Sequence, residues 1–270
     1  MKRFLIAMGM LILQSLDVVS VRAQFSGDEI RREIIARWLQ AAQDDDTAML
    51  DRHLAYGINI DVQEDDGQTA VMKAAEYGCT EAVKYLIEQG ALLDLQDWCC
   101  NTALIKASIN GHDDLVKLLI AAKAKLTLRN SLGGTALIEA AVFGQTTTVR
   151  LLISAMKATY EAGAAYMTID DLRELMLSDL INPLDIQDDS GRTALMEATL
   201  YGYAEIVALL IDAGANPLIK DCEGCTARML LRQSSLKNKK EVLSALKGEA
   251  IFPAPKKRRV THQIKSKTNI

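Results

Sequence analysis

Apolar and polar positions recur in a fixed order along most of this chain. Four stretches place small or apolar residues at i, i+1, i+4 and i+5: Ala82, Val83, Leu86, Ile87; Leu115, Val116, Leu119, Ile120; Thr148, Val149, Leu152, Ile153; Ile206, Val207, Leu210, Ile211. That spacing predicts one stripe on one face of a helix in each stretch. Upstream of every stripe lies a Thr-Ala pair, at Thr69, Thr102, Thr135 and Thr193, with a fifth pair at Thr226. The intervals are 33, 33, 58 and 33 residues, so the third is one period plus 25 residues. A threonine hydroxyl caps the free N–H groups of a helix that starts beside it, so each pair predicts a first helix ahead of the striped one. Small residues follow inside it: Ala74 and Ala75, Ala107 and Ser108, Ala140 and Ala141, Ala198 and Thr199. They let a neighbouring helix come close. Gly78, Gly111, Gly144 and Gly202 then end the first helix, where a left-handed residue is needed. One such helix pair cannot bury its own stripe, so stacked neighbours must supply the core.

The joint period and the glycine positions make this turn–helix–turn–helix pattern specific, and it resembles the ankyrin repeat over roughly residues 28–248. The resemblance implies an all-α fold, an ankyrin-repeat solenoid of stacked helix-turn-helix units with short hairpin-like fingers and one helical insertion. Residues 24–63 read as an N-terminal capping repeat, with Trp38, Leu39, Ala41 and Ala42 in its first helix. Repeats follow at 64–96, 97–129, 130–187 and 188–220, and 221–248 reads as the C-terminal cap. The family's usual Thr-Pro-Leu-His is replaced here by runs such as Thr102-Ala-Leu-Ile105. Without that proline and histidine, the repeats are expected to lean more on apolar packing. Cys100 stands in place of a turn glycine, and Lys123 stands where Gly90 and Gly214 end the second helix, which predicts local strain in the second repeat. This Pro- and His-poor variant resembles bacterial members of the family.

The additional residues fall at about 157–181. Ile169, Leu172, Met176 and Leu180 lie on one helical face there. The expectation is a second helix extended to near Tyr160, a turn at Gly163 and a returning helix that ends before Pro183. Such a protrusion packs on itself, or offers Tyr160, Tyr166 and Met167 to a partner.

The two ends differ from the body. Lys2 and Arg3 precede ten apolar residues, 4–13, and Val21 and Ala23 sit at the small positions before a cut. This reads as a secretory signal peptide over 1–23, too short to span a bilayer; a buried N-terminal helix is the other reading. The far end, 249–270, is a basic tail predicted to be disordered. Its Lys256, Lys257, Arg258 and Arg259, between Pro255 and Val260, resemble a nuclear-import signal. A solubilising tail and a contact to an anionic surface are the alternatives. The whole chain of 270 residues has a net charge of −4, but the 34 acids and 22 bases of residues 24–252 give the body −12. An acidic body argues against nucleic acid as its partner and favours a basic or mixed-charge protein. Aromatics are only 5% of the residues, which argues against a β-sandwich.

Little points to catalysis. His53, His112 and His262 are far apart in the repeat register, and no phosphate-binding loop is present. No cofactor, metal ligand set or catalytic residue is expected. Cys222 and Cys225 have CxxC spacing without a second pair nearby, which leaves a redox or metal-linked protein as an alternative reading, or a local disulfide in an exported chain. In proteins of this resemblance, partners meet the turn tips and the exposed ends of the first helices. Matched position by position, those sites hold Trp98, Leu132, Tyr77, Ile109, Val142, Phe143, Leu200 and Tyr201. Exposed aromatics there are hot-spot residue types. The expected function is a non-enzymatic protein–protein interaction scaffold, monomeric and without a transmembrane span after cleavage. It binds through its concave surface and is exported to the periplasm or secreted; the alternative is a secreted effector sent to a host nucleus by its tail.

Overall fold

A computed structural model describes residues 27–164 and 182–248, with side chains described over 29–159 and 182–248. The readings for the leader, the basic tail, Tyr160, Tyr166, Met167 and the returning helix lie outside those limits. Twelve α-helices and one short 3-10 turn make up the described residues, with no strand among them. In chain order the helices pair as α1 Gly27–Gln43 with α2 Thr47–Ala55, α3 Ala70–Tyr77 with α4 Thr80–Glu88, and α5 Ala103–Asn110 with α6 Asp113–Ala121. Then come α7 Ala136–Val142 with α8 Thr146–Ala164, α9 Ala194–Tyr201 with α10 Ala204–Ala213, and α11 Ala227–Gln233 with α12 Lys239–Leu246.

The local signals explain these bounds. The hydroxyls of Thr69, Thr102, Thr135 and Thr193 accept the N–H of the residue three positions on, at 3.3 to 3.4 Å. Thr226 occupies the same position ahead of α11 without making that bond. Gly78, Gly111 and Gly202 close their first helices in the left-handed conformation. Cys100 and Lys123 are held at φ of 57° and 66°, where neighbouring repeats place glycine, so the strain expected in the second repeat is present. The helix expected to turn at Gly163 instead runs on to Ala164. A single glycine costs a helix only about 1 kcal/mol, and the alanines around it propagate the helix through it.

Stacking buries one continuous core from Trp38 to Ala245. Ala74, Ala75, Ala107, Ser108, Ala140, Ala198 and Thr199 are wholly buried. Because these side chains are small, the first helices pack more closely on one another than the second helices do, the C-terminal pair excepted. Packing is therefore denser on the first-helix side, the side that the ankyrin resemblance makes concave. α7 and α9 pack directly together, so the stack of first helices continues from the third repeat to the fourth.

Besides the apolar core expected to carry more of the load without that histidine, three polar ladders join the repeats. Gln63 Nε2 donates to Gly67 O of its own finger and to Gln96 O of the next repeat, and Gln96 does the same to Cys100 O and Arg129 O. Gln187 repeats the arrangement with Gly191 and Lys220. A second ladder links Asp61, Asp94 and Asp185 to the N–H of Leu92, Lys125 and Asn216. In a third, the residue just before a second helix reaches back to the preceding repeat. His112 bonds Glu76 O, Gln145 bonds Ile109 O and Asn238 bonds Gly202 O. Amides and carboxylates at periodic positions thus take over the polar work of the absent histidine.

Candidate functional site

The fingers that precede each first helix are joined tip to tip. Trp98 N–H donates to Asp66 O, Ser131 to Cys99, Asp189 to Leu132 and Cys222 to Ser190. This holds the tips in one row and fixes the side chains they carry. Trp98 and Leu132 project from neighbouring tips at 77% and 72% exposure. The Trp98 indole lies across the preceding finger, where a Cβ on Gly67 would meet Cδ1 at 2.9 Å.

The ends of the first helices line the groove beside the fingers. Tyr77, Phe143 and Tyr201 are each about half exposed, and Tyr201 stacks on Tyr203 at 6.3 Å between centroids. Leu200 is half-buried. Ile109 and Val142 are half-buried as well and pack on the core, so they serve stability as well as surface. The structure thus brings Trp98 and Leu132 together at the tips and Tyr77, Phe143 and Tyr201 along the groove, with Ile109, Val142 and Leu200 set beneath.

The polar floor of this groove was not among the sequence expectations. One turn before each rim position stand Lys73, Lys106, Glu139 and Glu197. Lys106 Nζ lies 3.0 Å from Glu76 and 3.2 Å from Asp97. Burial alone would lower its pKa, but the hydrogen bonds and charges of both carboxylates raise it above the usual lysine value. Lys73 makes a longer pair with Glu64, at 3.8 Å. In the C-terminal half the sign reverses. Burial pushes the Glu139 carboxyl up, against a hydrogen bond from Asn130 and with Asp188 adding to the rise. Burial also raises Glu197, opposed by Arg192 and helped by Asp188 and Glu139. Arg192 Nη1 lies 3.4 Å from Glu197, and its Nε lies 3.9 Å from Asp221. Aligning the repeats on their Thr-Ala pairs would have shown this row as Lys, Lys, Glu, Glu.

The remaining candidates do not converge. His53 is buried against Trp38 at 6.1 Å and bonds Met49 O, and His112 bonds across a repeat boundary. All five cysteines are free thiols; Cys222 is exposed on its finger while Cys225 is buried. No group of three or more His, Cys, Asp or Glu able to hold a metal occurs among the described residues. No helix among them is long and apolar enough to cross a membrane. An open apolar groove of about 550 Å³, lined by Ile120, Leu126, Met156 and Pro183 among others, gathers no convergent acid–base set.

Comparison with known proteins agrees with this geometry. The family model described as ankyrin repeats (3 copies) matches residues 38–130, 92–163 and 124–221. The crystal structure of an ankyrin repeat domain from Acinetobacter baumannii AYE is 30% identical and superposes with a TM-score of 0.61, over 77% of this chain and 96% of that one. The ankyrin repeat protein EF0377 is 26% identical with a TM-score of 0.63, over 80% of this chain and 98% of that one. A search of curated proteins found no match.

Proposed function

The chain belongs to the ankyrin-repeat family, whose members are generally protein–protein interaction modules, and on that premise we propose that it is a non-enzymatic scaffold that grips another protein along its concave face. One observation carries the reading. Rings that a water-soluble surface would ordinarily hide stand half or more exposed, Trp98 on fingers tied tip to tip by hydrogen bonds and Tyr77, Phe143 and Tyr201 at the ends of stacked helices. A pre-ordered surface loses little entropy on binding. The acidic body supports a basic or mixed-charge protein rather than nucleic acid. The charged residues Glu29, Arg31, Arg32 and Glu33, exposed on α1 with Ile30 among them, support a monomer. Substituting Trp98 and Phe143 by alanine tests the surface: partner binding is lost while helicity is kept.

Residues 1–23 support export as the second part of this proposal. N-terminal sequencing of the mature protein checks it. A start at Gln24 is expected, and a start at Met1 or Lys2 contradicts it.

A further inference from the structure

Glu139 on α7 stands four residues before Phe143, which caps that helix, and Glu197 and Tyr201 stand four apart on α9. Side chains at that spacing share a helix face. α7 and α9 pack side by side, so the four form a square with two carboxylates at the floor and two half-exposed rings at the rim. The two halves of the square are not equivalent. In the α9 repeat, the residue before the helix cap is Arg192, which meets both Glu197 and Asp221. In the α7 repeat the matching residue is Gly134. A Cβ there would collide with Glu139 Oε1, so the carboxylate lies where a side chain would begin. Among the described residues Glu139 accepts only from the neutral Asn130 amide, at 2.7 Å, and meets no cation. Lys106, the floor cation of the preceding repeat, is committed to Glu76 and Asp97. Glu197 and Asp221 therefore share one guanidinium, and Glu139 has none.

We infer that this square receives an arginine or lysine side chain of the protein partner, which enters between Phe143 and Tyr201 and pairs with Glu139. The inference rests on the concave-face reading above and adds the partner's chemistry to it. The chain's own repeats supply the precedent: one carries its cation in Arg192, and the other has Gly134 there. Ring faces attract a cation, and a carboxylate at a half-buried floor attracts it more strongly than one in open water. A guanidinium suits the place best, because its plane lies along a ring while its edge donates to the carboxylate. Val142 and Leu200 offer apolar ground for the residues beside it.

The test is selection of a random 12-residue peptide phage library on the full chain, with affinities of the selected peptides read by fluorescence anisotropy. The selected peptides carry Arg or Lys, and replacing that residue by Gln weakens binding about tenfold or more. Glu139→Gln weakens it similarly while still accepting from Asn130. Gly134→Arg, whose backbone lies outside the left-handed region, supplies the cation in cis and also weakens binding. Asp114→Asn on α6 leaves binding unchanged. If the selected peptides depend on Phe143 but bind wild type and Glu139→Gln equally, the cation inference is overturned and the concave-face reading stands. If none of the selected peptides depends on Phe143 or Trp98, both are overturned. Thermal melts by circular dichroism establish that each variant is folded.

Discussion

The ammonium of Lys106 lies 3.2 Å from the Asp97 carboxylate, with both side chains nine-tenths or more buried. Removing one partner strands a buried charge, which is far costlier than losing an exposed pair. Lys106→Met should lower unfolding free energy by about 3 kcal/mol in urea melts. Lys73→Met, whose pair with Glu64 is longer and more open, should cost about 1 kcal/mol or less.

Burial raises the carboxyls of both Glu139 and Glu197, in surroundings that include Asn130, Asp188 and Arg192. A folded state with a raised carboxyl pKa binds protons more tightly than the unfolded chain, so stability falls as pH rises through that interval. Wild type should therefore gain stability relative to the Glu139→Gln, Glu197→Gln double variant as pH is lowered from 7 toward the ordinary glutamate pKa of 4.5. The difference between the two proteins cancels the other carboxylates. A pH-independent difference would contradict it.

Cys100 and Lys123 take left-handed backbone at positions where other repeats use glycine, such as Gly67 at φ 81° and Gly90 at φ 85°. Each adopts this conformation against the steric preference of an L side chain. Cys100→Gly and Lys123→Gly should each stabilise by about 0.5–1 kcal/mol, after the entropy lost in ordering the glycine is subtracted. Urea midpoints at unchanged slope are the measurement.

Gln96 ties its own finger to the next through bonds of 2.6 and 2.9 Å. Gln96→Ala should cost about 1–2 kcal/mol and raise hydrogen exchange at Trp98 and Ser131, whose amides hold the tips together.

The helices were legible because their signals are local. A threonine cap, a pair of small residues and a left-handed glycine act within one turn, and the 33-residue period repeats them. The rings at Tyr77, Phe143 and Tyr201 could be placed from the same register. The pairing of Lys106 with Glu76 was not legible, because the partners lie 30 residues apart and meet only when helices stack. Gly163 misled because a turn residue was read where helical neighbours decide the outcome.

The claim that the exposed aromatic row is a binding surface is tested most directly by comparing capture of the partner by the full chain and by its Trp98→Ala, Phe143→Ala variant. The two proteins are used at equal concentration and equal circular dichroism signal. The account predicts that the variant keeps its helicity and loses the partner; equal capture by both proteins would contradict it.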